Sequence, residues 1–180
     1  MGNKKERIYF NAQQLREVEE AVSMSEELVS DAYKMSASQW LRSRYDVKTL
    51  ADLQENEIAS GRLAQVIRYE IKRKDISLGS ASSDFYKICL QDHAILARLR
   101  QNPELKLFPF SLYIVTHELI HIVRFCKFLQ HFDASPEEKK AEEIRVDEKS
   151  CEIMENVRLP GIGDVLHFFR QTREPVDELR

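Results

Sequence analysis

The sequence predicts a mainly α-helical single domain in which an antiparallel helix pair carries the functional residues. An α+β fold of zincin type with a small sheet is the alternative. Three observations lead there. Apolar residues recur at three- and four-residue intervals over most of the chain, as in helices with one buried face. Only five Gly and five Pro interrupt the 180 residues. Alternating polar and apolar runs of strand length are scarce. A chain of this size supports one core, assigned to 1–165, with a polar tail at 166–180 that is expected to be disordered.

The elements follow in order. Arg7–Phe10 is a short apolar lead-in, and Asn11 is suited to cap a helix from Ala12 to about Met35. Leu15, Val18, Val22, Val29 and Ala32 line one side of it. Ser38–Tyr45 reads as a short helix. Thr49 or Asp52 caps a longer one reaching about Lys74, with Leu53, Ile58, Leu63, Val66, Ile67 and Ile71 as its apolar positions. Ser77–Ser83 is a Gly/Ser-rich break. Asp84–Arg100 reads as a helix carrying Phe85, Ile88, Cys89, Ile95, Leu96 and Leu99. Pro103 and Pro109 punctuate the chain before an apolar helix expected from Ser111 to about Gln130. Ser135, Pro136 and Glu138 form a capping box for a helix from Pro136 to about Arg158. Pro160-Gly161-Ile162-Gly163 ends it, and Asp164–Arg170 is a short final segment. Arg7–Phe10 and Asp75–Leu78 are the one pairing that could form a small ribbon.

Bulk properties exclude several classes. The net charge of −3 comes from interspersed charges, so no basic stripe for nucleic acid is expected. Charged residues at the N-terminus are not followed by the apolar core of a secretory signal. Phe110–Leu129 approaches membrane-span length, but it contains His117, Glu118, His121, Arg124 and Lys127, so no span is expected. Cys89, Cys126 and Cys151 are odd in number and far apart, which suits reduced thiols and a cytoplasmic location. The oligomeric state is not readable.

Within the apolar helix stands His117-Glu118-Leu119-Ile120-His121, an H-E-x-x-H. Positions four apart share a helix face, so both imidazoles can hold one metal ion with Glu118 beside it. The flanking Ile114, Val115, Thr116, Ile122 and Val123 are uncharged, so the pair is expected to be buried, and buried imidazoles need partners. A catalytic Zn²⁺ takes three protein ligands and leaves one position open. A metzincin continuation is excluded because Arg124 and Lys127 stand where Gly and His would be required.

The third ligand is sought on the following helix. On a helical wheel Ile144, Cys151 and Met154 define one apolar stripe, with Asp147 inside it and Glu143 at its margin. Val146, Ile153 and Val157 form a second stripe, so the helix is expected to be buried on two sides. A turn centred near Asp133 sets His121 level with roughly residue 145. Glu143, Asp147 and Glu148 are all within reach.

Here the chain resembles the gluzincin metallopeptidases, which combine H-E-x-x-H with a downstream E-x-x-x-D. The matching residues are Glu143-Ile144-Arg145-Val146-Asp147, and the resemblance covers about Ile114 to Cys151. It implies Glu143 as third zinc ligand and Asp147 as the residue orienting a ligand histidine. It also implies a peptide or other amide substrate, attacked by a metal-activated water with Glu118 as general base. Substrate in that family lies along the edge strand of a small upstream sheet, which the sequence pattern does not reveal. Tyr113, Arg124 and His167 are candidate helpers for the oxyanion. Two other readings compete. Glu118-Leu119-Ile120-His121 is an E-x-x-H of the kind used in di-iron bundles, although no second copy occurs. A non-enzymatic helical interaction protein is the other.

Overall fold

The computed structural model describes residues 7–36, 38–39, 44–71, 83–127, 129 and 131–172. It is mostly helical with a small sheet, an α+β arrangement. Helix α1 (Ala12–Tyr33) starts as the pattern requires. Asn11 accepts from the Gln14 N–H at 2.9 Å, and the Gln14 side chain closes the capping box. It ends on Lys34, whose left-handed backbone (φ 52°) returns its N–H to the last turn. The short helix expected at Ser38–Tyr45 lies largely outside the described residues, and strand β1 (Arg44–Lys48) occupies its end.

The helix expected from Thr49 or Asp52 to Lys74 is not present. Two short 3₁₀ turns, Leu50–Asp52 and Glu55–Glu57, lead instead into strand β2 (Ala64–Ile71). Likewise the first half of Asp84–Arg100 is strand β3 (Ser83–Leu90), and helix α2 runs only from Asp92 to Gln101. The sheet order is β1-β3-β2, with β1 parallel and β2 antiparallel to β3. Local periodicity misled here. Val66 and Ile67 fit a helix stripe equally well, but β-branched residues favour a pleated, half-buried surface once a partner strand is at hand. Gln91 marks the break. Its N–H joins Leu63 O at 2.9 Å, and its side chain accepts from the Ala59 N–H at 3.0 Å, which ties the chain to the sheet. Asp92 then accepts from the Phe10 and Leu50 N–H groups at 3.0 and 2.9 Å, so Arg7–Phe10 is anchored by a side chain rather than by pairing as a ribbon. Asp75–Leu78 lies outside the described residues.

Helix α3 (Leu107–Cys126) is the centre of the core, and every residue from Phe110 to Val123 is buried. It begins one turn before Ser111. Pro109 falls in the first turn, where its missing N–H has no intrahelical partner to lose. Helix α1 lies along α3, and Ser25 Oγ donates to Leu112 O at 3.2 Å. Strand β2 packs on another side of α3.

Helix α4 (Pro136–Glu155) has the expected Ser135–Glu138 capping box. It is not buried on two sides. Glu142, Val146, Ser150, Ile153 and Met154 face the core, whereas Ile144 is 54% exposed. Helix α5 (Ile162–Thr172) runs through the boundary drawn at 165/166. Leu166, Phe168 and Phe169 are buried in it, because an apolar face continues past Val165; residues 173–180 lie outside the described residues. The α4–α5 link passes close to α3. Gly161, at φ +89°, comes so near Pro109 that a Cβ there would sit 3.2 Å from the proline ring. Among the described residues no helix is long and apolar enough to cross a membrane.

Candidate metal centre

Helices α3 and α4 bring the motif residues together. His117 and His121 are fully buried on α3, and their Nε2 atoms stand 3.2 Å apart. Glu143 reaches both from α4, with oxygens 2.9 Å from His121 Nε2 and 3.3 Å from His117 Nε2. Asp147 Oδ1 lies 3.2 Å from the other nitrogen of His117, Nδ1. The pairs His121–Glu143, His117–Asp147 and Tyr113–Cys151 are each symmetric about Phe132. That is one residue before the expected turn centre.

These spacings can be tested against a metal. Two ligands about 2.05 Å from a tetrahedral zinc lie about 3.3 Å apart. The two imidazole nitrogens, 3.2 Å apart, match that value, and Glu143 approaches them with different oxygens, Oε1 at 2.9 Å from His121 and Oε2 at 3.3 Å from His117. Two imidazole nitrogens and one carboxylate are also the donor set of catalytic zinc. Among the described residues, His117, His121 and Glu143 form the group whose donor atoms converge in this way. Glu148 is exposed on α4 and outside the group.

The electrostatics couple the buried imidazoles to two carboxylates. Burial alone would lower the pKa of His117, yet Asp147 and Glu143 override it and hold the imidazole well above its ordinary range. Burial pushes Glu143 up, but hydrogen bonds from His117 and His121 hold its carboxyl far below the usual range. If a metal is held through Nε2, the Nδ1–H of His117 would be placed to donate to Asp147.

Aromatic rings close both ends of the site. Tyr113 lies against His117 at 6.5 Å between ring centroids, and Phe169 of α5 stacks on Tyr113 at 4.1 Å. At the other end His121 faces Phe125 at 6.3 Å, and Phe125 stacks on Tyr86 of β3 at 5.6 Å. Tyr113, His117, His121 and Phe125 follow at four-residue intervals on α3, so this column was legible as a spacing. Its outer rings, Phe169 and Tyr86, come from distant segments and were not. On the α4 side the enclosure is incomplete, since the Glu143 and Asp147 side chains are 21% and 47% exposed. Asp147 thus rims the site rather than lying in a buried stripe.

Glu118 is fully buried beside His117 and is not one of the three converging donors. Phe125, seven residues further on, shares its helix face and meets Tyr86, which places Glu118 on the side of α3 turned toward the sheet. The candidate helpers are otherwise engaged. Tyr113 is buried against Phe169 with its hydroxyl at Cys151. Arg124 pairs with the buried Glu142, which Arg145 also reaches at 3.0 Å. The sequence marks Arg124 as a paired charge but does not name Glu142 as its partner. His167 is exposed on α5 and outside the donor group.

Comparison with protein-family models, with curated proteins and with solved structures finds no match for this chain.

Proposed function

We propose that the chain is a zinc-dependent metallohydrolase of gluzincin-like peptidase type, with His117, His121 and Glu143 as ligands and Glu118 as general base. The observation that carries this reading is the convergence of two imidazole nitrogens and the Glu143 carboxylate from two helices. The H-E-x-x-H and E-x-x-x-D segments then face each other across an antiparallel pair, α3 and α4. A second ion would call for further bridging carboxylates, so one three-donor group among the described residues favours one zinc over a di-iron site.

A bound zinc would polarise a substrate carbonyl and make a water acidic enough to attack it. Glu118 would take the proton of that water and pass it to the departing amine. Asp147, 3.2 Å from Nδ1 of His117, would orient that imidazole. The aromatic rings exclude bulk water, which strengthens every charge interaction inside. Strand β2, at the edge of the sheet and packed on α3, offers a place for an extended peptide or other amide chain. The reading includes a cytoplasmic setting, in keeping with three free cysteines.

Elemental analysis of the purified protein beside His117→Ala tests the metal. About one zinc per chain, lost in the variant, is expected under this reading. Absence of zinc after incubation with it at neutral pH refutes it and leaves the helical interaction protein as the alternative. Hydrolysis of a peptide library, abolished in Glu118→Gln, tests the enzyme.

A further inference from the structure

A large groove lies away from the metal centre, between α1 and the outer edge of β1, with a volume of about 1350 Å³. Leu15 and Val22 of α1 and Val47 of β1 give it an apolar lining. Its walls are acidic. Glu19, Glu26, Glu27 and Asp31 stand on α1, with Glu26 accepting from the Tyr45 hydroxyl, and face Asp46 on β1 and Asp52 after it. Among the lining residues Lys48 is the one base, and it is held by Asp46 at 3.1 Å. Like charges so gathered repel one another, and a cationic ligand relieves that repulsion.

The floor of the groove is a strand edge. Among the described residues β1 pairs with β3 alone. The Val47 N–H is accepted by the neighbouring Asp46 carboxylate at 2.9 Å, so it points away from β3 and out of the sheet. A side chain bonded to its own neighbour's backbone is readily exchanged for another strand, and an open edge is a template for one.

We propose that this groove binds an extended basic segment of another protein, which adds to β1 as a fourth strand with its lysine or arginine side chains against the acidic wall of α1. Five residues of β1 offer about 17 Å of edge, and alternate side chains of an added strand face one way. The segment recognised is therefore short, with a base at every second position. Nucleic acid is repelled by these walls. A second copy pairing through β1 would set acid against acid. The inference is independent of the metal centre.

The test uses the full chain, with and without zinc. A fluorescent alternating lysine–valine peptide of about the length of β1 is titrated beside a glutamate–valine peptide. Saturable binding of the lysine peptide alone is expected, weakening at high salt. Val47→Pro removes the outward N–H at a position where an edge strand tolerates proline, and should weaken binding at least about tenfold. The double variant Glu19→Lys, Glu27→Lys alters only exposed helix positions and should weaken it comparably. Circular dichroism checks that both variants keep the fold. Equal binding of the two peptides, no binding of either, or binding untouched by both variants overturns the proposal. So does concentration-dependent dimerisation that Val47→Pro abolishes, which would make a second copy the occupant.

Discussion

If the centre holds zinc as proposed, zinc and a proton compete for His117, and the competition has a calculable slope. In the metal-free protein Asp147 and Glu143 keep this imidazole protonated well above its ordinary value of 6.5, despite burial. Zinc takes the neutral form, so binding expels about one proton through the neutral range. Each proton expelled makes the association constant rise about tenfold per pH unit, or about 1.4 kcal/mol. Between pH 6 and 8 affinity should therefore rise roughly 100-fold, about 2.7 kcal/mol. Competition with a chelator of known zinc affinity measures the slope, and calorimetry in buffers of different ionisation enthalpy counts the proton. In Asp147→Asn the imidazole loses a carboxylate that holds the proton, so the slope should flatten above about pH 7. The same variant should bind zinc about 10- to 100-fold more weakly at high pH, because the ligand is less basic and less firmly oriented. A slope near zero in the parent protein would falsify this account of the site. So would a slope that Asp147→Asn leaves unchanged.

Further expectations follow from the same structure. For metal-free stability the signs are opposite. The raised pKa of His117 contributes fully below 6.5 and fades as pH rises through the raised value, while the lowered pKa of Glu143 contributes above 4.5 and fades as pH falls. Their joint contribution should be greatest between about 4.5 and 6.5, and zinc should move the optimum upward, as melting curves with and without chelator would reveal. Glu118→Gln should retain zinc and lose on the order of 10²- to 10⁴-fold in any peptidase activity, read as kcat on a substrate found by library screening. Glu142→Gln weakens the charge partner of Arg124 and should cost roughly 1–3 kcal/mol in urea unfolding with zinc stoichiometry unchanged. Ser135→Ala removes the α4 cap and should cost about 1 kcal/mol in the same assay.

The parts of this molecule legible in its sequence are those set by local rules. Asn11 and Ser135 cap the helices they precede because a side-chain oxygen near a first turn has few other uses. His117 and His121 share a face because they stand on one helix, and Glu143 meets them because two helices joined by a short turn must fall into one register. The sheet was hidden for the converse reason. The partner of β2 is β3, and β1 pairs with β3 across three intervening elements of chain, so the pattern within any one strand does not show its partner. The buried side of α4 was displaced for a related reason. Ile144 is apolar and Glu142 is charged, but the nearby Arg124 makes burial of the glutamate favourable and leaves the isoleucine in water.

The aromatic column on α3 has a kinetic meaning. With Phe169 and Tyr113 at one end of the imidazole pair and Phe125 and Tyr86 at the other, an ion has no passage along the helix axis. The remaining route runs past Glu143 and Asp147, which are themselves attached to α4. If the centre holds zinc as proposed, loading and stripping share this partly open side, which a parting of α4 from α3 would widen. Zinc stripping by excess chelator should accordingly proceed at the rate at which α4 amides open to solvent in hydrogen exchange, and independently of chelator concentration. On this view the helix bearing the third ligand is also the door.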